Sequence, residues 1–133
     1  MKVWVNGTFD VLHRGHIELL RYSNGWGDVR VGIDSDKRIK QLKGESRPVN
    51  VFDDRRILLE SLKYVNSVVE FGSDQELEDR IKEWGATIMV IGSDYKDKKI
   101  IGSHLFEKII YFNRIENYSS TKIIKHEKNI SNR

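Results

Sequence analysis

The sequence contains no cysteine, one proline and no long apolar run. The absence of cysteine excludes disulfide bonds, thiolate zinc sites and cysteine nucleophiles, and it is compatible with the cytoplasmic location that we expect. A transmembrane helix needs about 18 or more apolar residues, so we predict no membrane span, and the first ten residues lack the pattern of a signal peptide. Repeats and linkers are also missing, so the 133 residues predict a single domain.

The excess of positive charge is confined to the end of the sequence. The net charge is +3, from 23 Lys and Arg residues against 20 Asp and Glu residues. Residues 1–121 hold 19 of each, so the surplus lies in residues 122–133. A neutral body argues against a broad nucleic-acid surface, which requires many phosphate contacts. We therefore predict a domain at residues 1–126, a basic tail at residues 127–133 and no nucleic-acid partner.

Short apolar runs alternate with amphipathic stretches along the chain. We predict strands at Lys2–Val5, Val29–Ile33, Ser67–Phe71, Thr87–Ile91 and Lys108–Phe112. We predict helices at His16–Trp26, Asp53–Tyr64, Asp74–Trp84 and Ser119–His126. The buried face of the second helix is predicted to carry Ile57, Leu58, Ser61, Leu62 and Val65.

This alternation predicts βαβ units and a parallel sheet. Such sheets bind their ligands beyond the carboxyl ends of the strands, at the point where the strand order reverses. The chemistry should therefore lie in the segments that follow the strands, which are Asn6–His16, Asp34–Arg47, Gly92–Lys99 and Asn113–Thr121.

Two histidines bracket the first strand-to-helix turn, in the segment Gly7-Thr8-Phe9-Asp10-Val11-Leu12-His13-Arg14-Gly15-His16. The free N–H groups and partial positive charge of a helix N-terminus suit a phosphate, and Gly15 leaves room for a nucleotide beside the helix. The alternative is a glycine-rich turn with a capping histidine and a buried one. A metal site based on His13 and His16 lacks a visible third ligand.

This segment resembles the G-x-F-D and H-x-G-H signature of the cytidylyltransferase-like nucleotidyltransferases. Leu42–Asn50, Gly92–Lys96 and Ile101–Ser103 are similar to the heptose-1-phosphate adenylyltransferases of lipopolysaccharide core synthesis. Arg114–Lys122 is closer to the R-T-E-G-I-S-T-T-K segment of the glycerol-3-phosphate cytidylyltransferases, although Asn117 stands where that family usually has Gly. The resemblance covers most of the chain and leaves the identity of the base open.

The resemblance implies a single-domain, Rossmann-like α/β fold of three layers around a five-stranded parallel sheet. It also implies transfer of a nucleoside monophosphate from ATP or CTP to a sugar or polyol phosphate, with release of pyrophosphate. Mg²⁺ would be carried by the nucleoside triphosphate, without a dedicated metal site. A homodimer is expected, with Trp26, Trp84 or residues 63–69 at its interface.

The resemblance further implies roles for individual residues. The catalytic residues would be His13, His16, Lys43 and Arg55. The nucleotide would be bound by Gly7, Thr8, Phe9, Asp10, His13, Gly15, His16, Asp94, Arg114, Ser119, Ser120 and Thr121. The phosphorylated acceptor would be bound by Lys43, Arg47, Tyr95 and Lys96.

Several of these residues have an ordinary structural alternative. Lys43 lies in the segment after the second strand and could be a solvated lysine, and Arg47 could fix its loop. Arg55 is a cation at the start of a helix, which is unfavourable by itself and suggests a function, but it could pair with Asp53 or Asp54. Asp94 could cap a turn, and the hydroxyls of residues 119–121 could cap the last helix.

The leading functional hypothesis is adenylyl transfer to a D-glycero-D-manno-heptose 1-phosphate-like sugar. Cytidylyl transfer to glycerol 3-phosphate is the alternative within the same chemistry. A non-catalytic nucleotide-binding module is the alternative of another class, and the intact pair His13 and His16 argues against it.

Overall fold

The computed structural model describes residues 1–113. Its strands are β1 Lys2–Gly7, β2 Asp28–Asp34, β3 Ser67–Phe71, β4 Ile88–Gly92 and β5 Lys108–Phe112. Its helices are α1 Arg14–Asn24, α2 Asp36–Lys43, α3 Phe52–Glu60 and α4 Asp74–Trp84, with short 3-10 turns at Ser93–Tyr95 and Ser103–Leu105. Across this part of the chain, every helix is too short or too polar to cross a membrane. The predicted helix Ser119–His126, the basic tail and the site residues Arg114, Ser119, Ser120 and Thr121 lie outside the described residues.

The five strands form one parallel sheet with the order β3-β2-β1-β4-β5. β1 and β2 pair from Lys2 opposite Asp28 to Gly7 opposite Ile33, so their carboxyl ends finish at the same edge. The strand order reverses at β1, which lies between β2 and β4. This topology confirms the predicted Rossmann-like α/β fold with a five-stranded parallel sheet.

Two apolar clusters cover the two faces of the sheet, which gives the predicted three layers. Val3 and Val5 of β1 point to one face, where they pack with residues of α1 and α3. Trp4 points to the other face, where it packs with residues of α4. A Cβ atom at Gly32 would lie 2.4 Å from the ring of Trp4, so only glycine lets the indole lie across β2.

Helix α2 lies in the segment after β2, where the sequence analysis predicts no helix. The hydroxyl of Ser35 caps the helix by accepting a hydrogen bond from the backbone N–H of Arg38, at 3.2 Å. Asp36 in the first turn and Lys43 in the last turn carry the charges that suit the helix dipole. Ile39 is its only buried residue, so capping and charge mark this helix more clearly than apolar periodicity does.

Within helix α3 the buried face differs from the predicted one, although Leu62 and Val65, which follow the helix, pack against the core as predicted. Its fully buried side chains are Arg55 and Leu59, whereas Ile57 and Leu58 are 56% and 45% exposed. The helix also ends at Glu60 rather than at Tyr64. The prediction was wrong because it counted apolar residues, whereas an arginine occupies the central position of the buried face.

The guanidinium group of Arg55 joins four segments of the chain at the carboxyl edge of the sheet. Its Nε donates to the carbonyl of Asn50 at 2.9 Å, before α3. Its Nη1 donates to the carbonyls of Thr8 and Asp34 at 2.9 and 2.8 Å, at the ends of β1 and β2. Its Nη2 pairs with Asp36 at 2.6 Å, at the start of α2.

This arrangement corrects both interpretations of Arg55. The side chain is 0% exposed and all three nitrogens donate to protein oxygens, so it is a positioning residue rather than a phosphate ligand. Its ionic partner is Asp36, not Asp53 or Asp54.

The tryptophans predicted for a dimer interface pack partly within the monomer. Trp26 lies against the cluster on the α1 side, and Lys108 Nζ lies 4.7 Å from the centre of its ring. Trp84 lies against the cluster on the α4 side, with the guanidinium of Arg30 at 4.9 Å.

Substitution of Arg55 by alanine is expected to destabilise the fold strongly. The substitution leaves three backbone carbonyls without their donor, empties a fully buried position and removes the partner of the half-exposed Asp36, so the loss should be about 3–5 kcal/mol. Equilibrium unfolding in urea measures the change in the free energy of unfolding.

The neighbouring residue Arg56 supplies the matched control. Its ion pairs with Asp53 and Glu60 lie on the surface, so Arg56→Ala is expected to change stability by about 0.5 kcal/mol or less. Equal losses for the two variants would contradict the role assigned to Arg55.

Candidate active site

A cavity of about 350 Å³ opens at the carboxyl edge of the sheet, where β1, β2 and β4 end. Because β1 lies between β2 and β4, the cavity has a central part after β1 and two flanks. The predicted site residues that line it are Gly7, Thr8, Phe9, His13, Gly15, His16, Lys43 and Tyr95. The cavity lies at the reversal of strand order, where sheets of this type bind ligands.

His13 and His16 form the cap at the start of α1. The backbone N–H of Gly15 donates to Nδ1 of His13 at 3.0 Å, and the backbone N–H of His13 donates to Nδ1 of His16 at 3.2 Å. The two imidazole rings stack, with their centres 3.7 Å apart and their planes inclined by 27°. The alternative of a capping histidine is therefore correct as local structure, and it coexists with a position in the cavity wall.

This cap determines which nitrogens the imidazoles can offer to a ligand. A ring nitrogen that accepts an N–H carries no proton, so in each neutral imidazole Nε2 carries it. The backbone N–H groups of His16 and Ile17 bond to the carbonyl of His13, and that of Gly15 bonds to its ring. The hydrogen-bond donors at this helix start are therefore mainly imidazole groups, rather than the free backbone N–H groups that the sequence predicts.

The first turn of α1 also differs electrostatically from those of the other described helices. It contains no acidic residue, whereas α2, α3 and α4 each carry at least one there. Its partial positive charge is therefore not offset by a carboxylate of its own first turn.

Phe9, in the connection between β1 and α1, adopts a left-handed backbone conformation. Its φ angle is +48°, which is sterically unfavourable for a residue with a large side chain. Its ring lies 4.8 Å from that of His16, and a Cβ atom at Gly7 would lie 3.2 Å from it. The strained turn therefore holds an aromatic wall against the histidine pair.

Asp10 is fully buried and does not line the cavity. Its carboxylate is 0% exposed and accepts hydrogen bonds from the backbone N–H groups of Val49 and Asn50 and from Nε of Arg47, at 2.6–3.0 Å. Burial alone would raise the pKa of Asp10, but these donors together hold the pKa below its usual value. The predicted contact between Asp10 and the nucleotide is therefore replaced by a structural role, in which Asp10 holds the loop before α3.

Arg47 belongs to this internal network. Its Nε lies 2.6 Å from Oδ2 of Asp10, its side chain is only 10% exposed, and it is not part of the cavity wall. Of the two interpretations of Arg47, the structure favours the one in which it fixes the loop over contact with the acceptor.

Asp34 is a cavity residue that the sequence analysis did not single out. It is the last residue of β2 and is 8% exposed. Burial raises the pKa of the Asp34 carboxyl, although the cations of Arg38, Arg55 and Lys43 act in the opposite direction. The sequence does contain a signal for Asp34. It lies at the end of a parallel strand and begins the segment Asp34–Arg47, in which we predict ligand-binding residues.

The remaining cavity residues missed by the sequence analysis come mainly from the strands. They are Val5, Asn6, Leu19, Leu42, Val90, Ile91 and Gly92. The side-chain oxygen of Asn6 accepts a hydrogen bond from the indole N–H of Trp4 at 3.1 Å, which links the cavity wall to the core.

The segment after β4 contributes less than the sequence predicts. Tyr95 lines the cavity and is 38% exposed. Asp94 and Lys96 are exposed and do not line the cavity. Residues 1–113 also contain no group of three metal-binding side chains, so a divalent cation would take most of its ligands from phosphate and water.

Comparison with known proteins adds to this geometry. A match to the cytidylyltransferase-like family extends over residues 4–126. The chain belongs to that family. This cytidylyltransferase-like domain is 40% identical over 131 residues to the Bifunctional protein HldE of Campylobacter concisus, and 43% identical over 124 residues to that of Campylobacter jejuni strain RM1221. Family and relatives together support a nucleotidyltransferase enzyme.

The two alignments cover 98% and 92% of this chain but only 28% and 27% of the relatives. The chain therefore spans about a quarter of the length of these curated relatives. The fold is also that of a lipopolysaccharide core biosynthesis protein from Thermoplasma volcanium, with a TM-score of 0.70 at 24% identity. That superposition covers 87% of this chain and 98% of the other chain.

Substitution of Asp10 by asparagine is expected to destabilise the protein in a pH-dependent manner. A lowered pKa in the folded state means that the charged carboxylate stabilises the fold above the unfolded pKa of 3.8. The loss should be about 3–5 kcal/mol at pH 7, because a buried cation and two N–H groups lose an anionic partner. The difference from wild type should narrow as the pH falls below 3.8, as measured by urea unfolding between pH 7 and pH 3.

The exposed carboxylate Asp97 provides the control. Asp97→Asn should leave the free energy of unfolding within about 0.5 kcal/mol of wild type at every pH. A loss for Asp10→Asn that stays constant down to pH 3 would show that the charge of Asp10 is not what stabilises the loop.

Proposed function

We propose that this domain transfers a nucleoside monophosphate from a nucleoside triphosphate to a sugar or polyol phosphate, with release of pyrophosphate. The observation that carries the proposal is the stacked histidine pair. Both rings use Nδ1 to cap α1, and both line a cavity at the carboxyl edge of a parallel sheet. Two adjacent Nε2–H donors at a helix start without acidic residues are suited to bind a polyphosphate.

The proposed reaction is a single in-line displacement at the α-phosphorus. A phosphate oxygen of the acceptor forms the new bond to the α-phosphorus, and the bond to the bridging oxygen of the β-phosphate breaks. That oxygen keeps the electron pair and leaves as part of pyrophosphate. The step needs no covalent enzyme intermediate, so catalysis depends on positioning and on stabilising negative charge.

The residues take distinct parts in this scheme. His13 and His16 donate Nε2–H groups to phosphate oxygens as negative charge develops. Lys43 is exposed at the end of α2 and lines the cavity, where its ammonium group can pair with a phosphate. Arg55 and Asp10 act through the backbone that they hold, since neither reaches the cavity.

Adenylyl transfer to D-glycero-D-manno-heptose 1-phosphate is the version of this reaction that we favour. It is supported by the resemblance of Leu42–Asn50 and Gly92–Lys96 to heptose-1-phosphate adenylyltransferases and by the similarity to the bifunctional HldE proteins. Cytidylyl transfer to glycerol 3-phosphate is the second candidate, supported by the resemblance of Arg114–Lys122. Mg²⁺ carried by the triphosphate would neutralise phosphate charge, and a cytoplasmic homodimer remains a prediction.

The first experiment is an assay of pyrophosphate release. Wild-type protein is supplied with Mg²⁺, with ATP or CTP, and with heptose 1-phosphate or glycerol 3-phosphate. Release with ATP and heptose 1-phosphate alone would support the favoured version, and release with CTP and glycerol 3-phosphate alone would support the second. Binding of a nucleotide without release in any combination would favour the non-catalytic module.

Substitution of His13 by asparagine separates catalysis from capping. Asparagine is a strong helix-capping residue, so the free energy of unfolding should stay within about 1 kcal/mol of wild type. The variant lacks the Nε2–H donor, so kcat should fall about 10²–10³-fold, as for the loss of one donor to a developing oxyanion. Steady-state pyrophosphate release and urea unfolding measure the two effects.

His104→Ala is the control, because His104 is an exposed histidine that contacts Glu78 and lies outside the cavity. Its kcat should match that of wild type. Near-normal turnover in His13→Asn would contradict the proposed role of the histidine pair.

A further inference from the structure

The two flanks of the cavity differ in chemistry. The flank at the end of β4 is formed by Val90, Ile91, Gly92 and Tyr95, which are apolar, aromatic or without a side chain. The flank at the end of β2 carries Asp34 and Lys43, one charge of each sign, together with the apolar Leu42 of α2. Because β1 and its histidine pair lie between these flanks, a ligand on each side could bring its phosphate to the same central point.

A transfer reaction requires two such ligands, and their chemistry fits the flanks differently. A planar base is best accommodated by apolar and aromatic surface. A phosphorylated polyol presents a phosphate and several hydroxyl groups, which require a cation and hydrogen-bond acceptors. The β2 flank provides both types of group, so on this proposed function it is the acceptor side.

The carboxylate of Asp34 is held in place by Arg38, which does not line the cavity. Its Oδ1 lies 3.3 Å from Nε of Arg38, and Arg38 also donates to Asp74 at 2.7 Å. Its backbone carbonyl accepts from Arg55 at 2.8 Å, which fixes the end of β2. Arg38 approaches the carboxylate at Oδ1 and Asp34 lines the cavity, so the carboxylate can also accept hydrogen bonds from a ligand.

Asp34 is a buried carboxylate in the wall of the cavity. Burial raises its pKa despite three neighbouring cations, so the charged form is less stable here than in water. An Asp whose folded pKa is raised lowers stability above its unfolded pKa, which is the reverse of the effect of Asp10. Perturbed carboxylates in a cavity wall are typical of functional sites.

We infer that Asp34 is a specificity-determining residue, which accepts hydrogen bonds from hydroxyl groups of the acceptor while Lys43 pairs with its phosphate. The site would therefore select a polyhydroxylated phosphate over a phosphate ester without hydroxyl groups. This inference rests on the proposed function and adds to it the residue that recognises the hydroxyl groups.

The test compares Asp34→Ala with wild type in the full chain, using heptose 1-phosphate, glycerol 3-phosphate and ethyl phosphate as acceptors. Ethyl phosphate carries a phosphate but neither a hydroxyl nor an amino group. The variant should raise KM for the preferred hydroxylated acceptor about 10- to 100-fold, as for a lost hydrogen bond to a charged group. KM for the nucleotide and the rate with ethyl phosphate should stay within about twofold, and Tm should be equal to or higher than that of wild type.

Asp74→Ala is the matched control. It removes the other carboxylate that pairs with Arg38, yet Asp74 is exposed and lies outside the cavity. KM for every acceptor should therefore match that of wild type. Isothermal titration of heptose 1-phosphate into the two variants and wild type gives a readout of acceptor binding that does not depend on turnover.

The outcomes distinguish the inference from the function on which it rests. An active wild type with unchanged acceptor KM in Asp34→Ala overturns the inference alone. A raised KM for the nucleotide with an unchanged KM for the acceptor also overturns it, because Asp34 would then bind the nucleoside. A wild type that neither binds a phosphorylated acceptor nor releases pyrophosphate overturns the proposed function and the inference together.

Discussion

The carboxyl edge of this sheet, where the cavity opens, depends on one buried guanidinium group. Parallel strands end without a turn to connect them, so the segments that follow β1 and β2 need another means of staying together. Arg55 supplies it by donating to the carbonyls of Thr8, Asp34 and Asn50 while pairing with Asp36. The cost of burying a charge is offset here because all three guanidinium nitrogens have protein acceptors. The positions of the histidine turn, of the end of β2 and of the loop before α3 are consequently linked.

Asp10 and Asp34 are both buried aspartates, but their surroundings give them different roles. Asp10 accepts two backbone N–H groups and the side chain of Arg47, so its charge is stabilised and it acts as a structural anchor. Asp34 has a single guanidinium contact at 3.3 Å and lies in the cavity wall, so burial dominates and its charge is disfavoured. The sign of each pKa shift follows from the balance between burial, which raises the pKa, and the donors and cations around the carboxylate, which lower it.

Much of the architecture could be predicted from the sequence, because apolar alternation is a direct signature of buried parallel strands. β3, β5 and α4 were located with their observed ends, and the other strands differ by two residues or fewer. Helix α2 was missed because charge and a serine cap define it, and the face of α3 was wrong because Arg55 occupies a core position. Eight of the predicted site residues line the cavity, but the positions of Asp10 and Arg55 depend on contacts between distant segments, which residue type and spacing do not reveal.

The hydrogen bond between Trp4 and Asn6 connects a fluorescent side chain of the core to the wall of the cavity. The indole of Trp4 is completely buried, and its N–H donates to the oxygen of a side chain in the cavity wall. A ligand that draws the amide of Asn6 toward itself alters the polarity sensed by an otherwise dry fluorophore. The part of the tryptophan emission that comes from Trp4, one of three tryptophans in the chain, therefore offers a label-free signal of occupancy from a position that the solvent does not reach.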